Sequence, residues 1–329
     1  METKDINFLK YIFLAYINRS GSTYLANLFS KSPDILVCPE AEVLIDLFLA
    51  SPKAKFDLNE RFVESFRGYI REDNKLRFWG LSEDAVYSLE KCETNFEAFT
   101  SILLNYRDKN KPLAQTIVFK AEKIINYIDR LSNIDNYNSK LYFISLIRDC
   151  RAVYASQKNT FFPGTSKIMS SNPVKTGLLW NRFYTQTSRL YESSKVLKVN
   201  YENLISNTNQ VFGRIISDLK ISPFEFLSGD GDFLERLPDH NKLIHGNIDK
   251  GPILKRIDAW KQQLSDEEVY MIQEVTKKYL LSAGYGQIEV AVNRVFANSK
   301  IIYFYILYLL QRISKLILFQ LFNVDRIKM

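Results

Sequence analysis

Apolar runs at residues 11–17, 35–38, 116–120, 140–147 and 196–199 are rich in β-branched and aromatic residues, and each is short enough to be a buried strand. Residues 41–50, 57–71 and 96–108 instead carry apolar positions at helical spacing, which predicts a helical insert between the second and third strands. Ser265 followed by Asp266-Glu267-Glu268 marks a further helix start. Strands separated by helical stretches predict an α/β chain, a parallel sheet with helices on both faces and binding loops at the carboxyl ends of the strands. From Lys300 to Phe322 the pattern changes. Ile301 to Leu310 is ten residues without a charge, too short to span a bilayer, and Gln311, Arg312, Ser314 and Lys315 interrupt it before Leu316-Ile317-Leu318-Phe319. The division expected is a domain over 1–286 and an amphipathic helical extension over 287–329, which lies in a membrane interface, packs on the domain or forms a dimer seam.

The first run leads straight into Arg19-Ser20-Gly21-Ser22-Thr23-Tyr24-Leu25. A strand, a small-residue turn and a helix start leave backbone N–H groups, hydroxyls and a cation facing one spot, which suits an anion. It is not the nucleoside-triphosphate loop, which needs a second glycine followed by Lys and then Ser or Thr; Gly21 stands alone, and the pair Gly246 and Gly251 is followed by Pro252. The fourth run ends in Arg148-Asp149-Cys150-Arg151, and a helix starting at Asp149 carries Ser156 about 10 Å along its axis. Arg148 and Ser156 can then grip opposite sides of one dianion.

Together these segments resemble the two phosphate motifs of the sulfotransferase family, in the family order. The resemblance covers roughly residues 8–285. It implies a P-loop-like sulfotransferase fold and a donor, 3′-phosphoadenosine 5′-phosphosulfate (PAPS), that leaves as 3′-phosphoadenosine 5′-phosphate (PAP). Arg19, Ser20, Gly21, Ser22, Thr23 and Tyr24 then form the 5′-phosphosulfate loop, and Arg148 and Ser156 the 3′-phosphate site, as separate pockets at the two ends of one nucleotide. Lys120, closing the third run, matches the family's strand-end lysine on the sulfuryl side. The family's proline two residues later is replaced by Glu122, which leaves Lys123 as a rival. Tyr201, in Tyr201-Glu202-Asn203-Leu204, is placed by the resemblance near the adenosine or its 3′-phosphate, and otherwise reads as a strand-closing tyrosine with its hydroxyl at the rim. His245-Gly246-Asn247 and the basic segment Leu254 to Lys261 are similar to a late nucleotide-closing loop, which makes Asn247, Lys255 and Arg256 binding candidates, with Lys250 competing for the same charge.

Sulfuryl transfer needs in-line geometry, stabilisation of charge on the leaving oxygen and a base for the acceptor hydroxyl, and protein cations supply the charge without a metal. His240 and His245 are the only histidines and both lie far downstream, so a carboxylate is the expected base. Glu40 follows the second run and stands 21 positions after Arg19, where tyrosylprotein and carbohydrate sulfotransferases place their catalytic glutamate; Glu42 is the alternative. Arg19, Lys120 and Glu40 are thus the candidate catalytic group, and the acceptor implied is a hydroxyl of a glycan or glycolipid. Two other readings remain open: a small-molecule or sugar kinase, and a non-catalytic nucleotide-binding or membrane scaffold. The stretch from Phe161 to Pro173 is a candidate acceptor lid.

Composition bounds this picture further. Cys38, Cys92 and Cys150 are odd in number and unpaired by spacing, which argues against a disulfide scaffold or zinc site, and Glu2, Asp5 and Lys10 break up any leader-like start. A reduced, cytoplasmic protein is expected, with the inner face of the membrane as a peripheral location, and the Lys-, Asn- and Ile-rich composition suggests a bacterial source. The 44 basic and 37 acidic residues leave a net charge of +7, dispersed along the chain, and no nucleic-acid module accompanies it.

Overall fold

A computed structural model describes residues 9–73, 75–134, 140–162, 165–192, 196–227, 231–237 and 253–321. The strands β1 (Lys10–Tyr16), β2 (Ile35–Cys38), β3 (Thr116–Lys120), β4 (Leu141–Ile147) and β5 (Val196–Asn200) form one parallel sheet in the order β2-β3-β1-β4-β5. Helices cover both faces, so the strands read as near-continuous apolar runs. The two-residue period is still visible in the packing. Tyr11, Phe13 and Ala15 of β1 enter one core, and Ile12, Leu14 and Tyr16 the other.

The helices that position the site are α1 (Ser22–Ser30), α2 (Glu60–Glu72), α3 (Asn95–Asn110), α4 (Cys150–Lys158), α5 (Pro173–Ser188), α6 (Tyr201–Ser206), α7 (Thr208–Asp218), α8 (Asp266–Leu280) and α9 (Arg294–Leu321). The expected insert between β2 and β3 is present as a short helical stretch over 42–49 followed by α2 and α3. Its boundaries follow capping chemistry. The Asn59 side chain accepts from the Phe62 N–H and starts α2 three residues later than the periodicity indicates, and a reciprocal Thr94–Glu97 pair starts α3. Ser265 and Glu268 form the same reciprocal cap on α8. Tyr201, expected to close a strand, instead opens α6.

The connection after β1 runs through α1 toward β2, whereas the connection after β4 leads to β5 on the opposite side. The carboxyl ends of β1 and β4 therefore flank a crevice that no crossover fills, the position where open parallel sheets bind ligands. On the insert-facing side, the Phe13 ring lies 5.5 Å from Phe143 and 6.0 Å from Phe99, tying the central strands to α3. Phe13→Ala is expected to cost about 3–5 kcal/mol of unfolding free energy in urea titrations, through lost burial and the cavity left behind.

Candidate functional site

The turn after β1 is built around two left-handed residues. Arg19 has φ 76° and Gly21, the N-cap of α1, has φ 87°. Only glycine adopts that conformation freely, and space makes the same demand: a Cβ on Gly21 would stand 2.4 Å from two ring carbons of Tyr201. Tyr201 thus lies directly on the turn. Its other contact is Arg148, whose guanidinium carbon is 4.3 Å from the ring centroid.

Arg148 is fastened at several points. Its NH1 donates to the Arg19 carbonyl at 2.7 Å and its NH2 to the Arg256 carbonyl at 3.1 Å, while the Trp180 indole N–H donates to the Arg148 carbonyl at 2.9 Å. The Asp149 N–H donates to Glu202 Oε1 at 3.0 Å, and the Tyr285 hydroxyl to Glu202 Oε2 at 2.7 Å, binding the end of β4 to the start of α6. Arg148 Nε is buried without a partner. Arg19 Nε donates to Ser156 Oγ at 3.1 Å, and Gln157 Nε2 to the Asn18 carbonyl at 3.1 Å, joining α4 to the turn.

The guanidinium groups of Arg19 and Arg148 therefore share one crevice, and the exposed Arg256 adds its charge at the edge. Burial first, then the positive charges of Arg148 and Arg256, push Arg19 down to about 10. Among the described residues no carboxylate forms an ion pair with any of the three. An arrangement of this kind is relieved by an anion. A partnerless Arg148 Nε and the excess of cations both fit a phosphorylated nucleotide.

The residues named from sequence fall into place around this crevice as follows. Ser20, Ser22 and Thr23 are buried in the turn and the first turn of α1, and Tyr24 shares a 3.2 Å hydrogen bond with Thr208 at the start of α7. Arg19, Arg148, Ser156 and Tyr201 converge; Arg19 and Ser156, assigned to opposite ends of a nucleotide, are hydrogen-bonded to each other here. Lys255 is exposed on the short helix Lys255–Asp258, and Arg256 beside it reaches the crevice through its carbonyl and its charge. Asn247, His240, His245 and Lys250 lie outside the described residues.

A second cluster gathers at the carboxyl ends of β1, β2 and β3. Glu40 Oε1 accepts from Lys120 Nζ at 2.7 Å and from the Tyr16 hydroxyl, and Glu40 Oε2 accepts from Lys75 Nζ at 2.8 Å. The Glu40 side chain keeps 25% of its exposure while that of Lys120 keeps only 4%, so Lys120 is the more deeply enclosed of the pair. Burial acts to raise the Glu40 carboxyl, but the two ammonium groups outweigh it and hold the carboxyl well below the ordinary carboxylate range. Lys123, the rival for the strand-end role, pairs with Asp46. Glu42 accepts from the Glu122 N–H at 3.1 Å. Glu122 accepts from Asn18 Nδ2 at 2.5 Å, and burial, then the charges of Glu42 and Glu40, push it up to about 7.

Sequence reasoning missed Lys75, Tyr16 and Asn18. Lys75 sits in a tight turn after α2, where the Asp73 carboxylate accepts from the backbone N–H groups of Lys75 and Leu76, and nothing local marks its partner 35 positions earlier. Tyr16 ends an apolar strand and reads as core; its hydroxyl was the available signal.

Residues 12–225 match the model of the sulfotransferase family. The chain belongs to that family. Comparison with curated protein sequences finds no match. Among solved structures, the sulfotransferase domain from the Synechococcus PCC 7002 olefin synthase superposes with a TM-score of 0.56 at 15% identity, covering 84% of this chain and 94% of that one. The sulfotransferase domain from the curacin biosynthetic pathway gives 0.53 at 17% identity, covering 85% and 99%. At these identities the likeness is one of fold, a parallel sheet flanked by helices.

Gly21→Ala is expected to lower stability by about 1–3 kcal/mol from backbone strain alone. The clash with Tyr201 adds to this, so in chemical denaturation Tyr201→Ala should cost less in the Gly21→Ala background than in the parent chain.

Proposed function

We propose that this sulfotransferase moves a sulfuryl group from PAPS to a hydroxyl of a carbohydrate or glycolipid acceptor. The observation that carries the reading is the crevice between β1 and β4, where the charges of Arg19, Arg148 and Arg256 meet at the turn after β1 with no ion-paired carboxylate among the described residues. A kinase would need a lysine after a second loop glycine, which this turn lacks.

The donor supplies a sulfuryl group whose S–O bond to a 5′-phosphate oxygen breaks as a bond to the acceptor oxygen forms. In this reading Arg19 and the N–H groups of Gly21, Ser22 and Thr23 stabilise negative charge on the leaving oxygen. Arg148 and Ser156 hold the 3′-phosphate, Tyr201 supports the adenosine side, and Lys255, Arg256 and Asn247 close over it. Lys120 lies on the sulfuryl side and Glu40 takes the hydroxyl proton. The pairing seen here keeps Glu40 ionised, and Lys120 turning toward the sulfuryl oxygens would release it to act. The glycan class of acceptor is carried by the position of Glu40 after β2, where carbohydrate and tyrosylprotein sulfotransferases keep their glutamate.

One observation favours a second assignment of the base: Glu122, held near 7, is closer in basicity to a working general base than the strongly acidic Glu40. The two assignments differ in pH dependence, because a base must be deprotonated to act. With Glu40, the rate of labelled-sulfate transfer stays flat from pH 5 to 8 and Glu40→Gln abolishes it while PAP still binds. With Glu122, the rate climbs through about pH 7 and Glu122→Gln removes that climb.

Donor identity has its own test. PAP is expected to raise the melting temperature by several degrees at about 100 times its dissociation constant, ATP far less, and Arg148→Ala should erase the PAP shift. An ATP shift equal to that of PAP would overturn the donor assignment.

A further inference from the structure

Helix α9 presents two apolar faces, and the domain uses only one. On the packed side, Ala297 is fully buried, the Phe304 carbonyl accepts from Asn172 Nδ2 at 3.0 Å, Asn298 accepts from the Tyr270 hydroxyl at 3.3 Å, and Lys300 pairs with Glu267. At about 3.6 residues per turn, Ile302, Ile306, Leu309, Leu310, Ile313 and Leu316 lie on the opposite side. Each is between 37% and 62% exposed.

The charges on this helix are of one sign. Arg294, Lys300, Arg312 and Lys315 occur along its 28 residues with no aspartate or glutamate. Arg294 and Arg312, about five turns apart, line the same flank of the outward apolar face and are both exposed. Exposed Tyr303 and Tyr305 add the amphipathic rings that favour a headgroup boundary. No helix among the described residues is long and apolar enough to cross a membrane.

We propose that the outward face of α9 docks the enzyme on an anionic lipid surface, with its aliphatic residues below the headgroups and its flanking arginines among the phosphates. The charge pattern selects this occupant over a second copy of the chain, since two such helices face to face would bring cations together with no acidic residue on either helix to receive them. The loop that ends at Asn172 is pinned to the middle of α9, and it also exposes Phe161, Phe162 and Ile168. That loop follows α4, the helix that carries Ser156 to Arg19, so the docking helix is linked through one short segment to the crevice.

The test uses the full chain without donor or acceptor, so that its outcome is independent of the proposed reaction. Co-sedimentation is measured with vesicles of phosphatidylcholine containing phosphatidylglycerol and with phosphatidylcholine alone, and light scattering reports the oligomeric state. Binding is expected to the anionic vesicles, at least about tenfold weaker to the neutral ones and weakened by high salt. Ile306→Glu with Ile313→Glu should abolish it and leave the unfolding midpoint unchanged. The proposal is overturned by no sedimentation with either vesicle, by equal sedimentation with both, or by a dimer that the double variant dissociates while vesicle binding persists.

Discussion

Like charges forced into one crevice are the constraint on which this structure turns. Arg19, Arg148 and Arg256 repel one another, and the protein keeps them together with hydrogen bonds that neutralise nothing: carbonyl oxygens of Arg19 and Arg256, a serine hydroxyl and the face of Tyr201. The surrounding architecture serves to hold that arrangement. Trp180 fixes the end of β4, Glu202 fixes the start of α6, and Gln157 fixes the turn after β1. Electrostatic preorganisation of this sort costs stability in the free protein and is recovered when negative charge arrives.

The second cluster obeys the opposite rule. There, Lys120 and Lys75 both pair with Glu40, the neighbouring carboxyl groups of Glu42 and Glu122 offset the second positive charge, and the Tyr16 hydroxyl donates to the same Glu40 carboxylate. One side of the sheet's carboxyl edge is thus a site of unbalanced charge and the other a site of balanced charge. The two are joined by only a few residues of β1 and its turn, since Tyr16, Asn18 and Arg19 each belong to one or the other.

Much of the fold was legible because both faces of the sheet are buried. The resulting apolar runs stand out from the amphipathic helices, and all five strands lie where those runs predict. The anion turn and the end of β4 were legible for a different reason: each concentrates its chemistry in a handful of consecutive residues. Lys75 was not, because its role depends on a carboxylate brought near by tertiary packing. Tyr201 reads as closing its strand because it has the β-propensity of the residues before it, yet it opens helix α6; of the two lysines near the end of β3, Lys120 pairs with Glu40 and Lys123 with Asp46.

Lys75 belongs to the insert between β2 and β3, whose rings Phe48, Phe56, Phe62 and Phe66 pack on one another and join the same core that buries Phe13 and Phe143 of the sheet. Of the two ammonium groups on Glu40, Lys75 thus comes from the insert and Lys120 from the sheet. The acidity of this glutamate is therefore set jointly by the insert and the sheet, whereas the arginine crevice is assembled from β1, β4 and the helices that follow them without any residue of the insert.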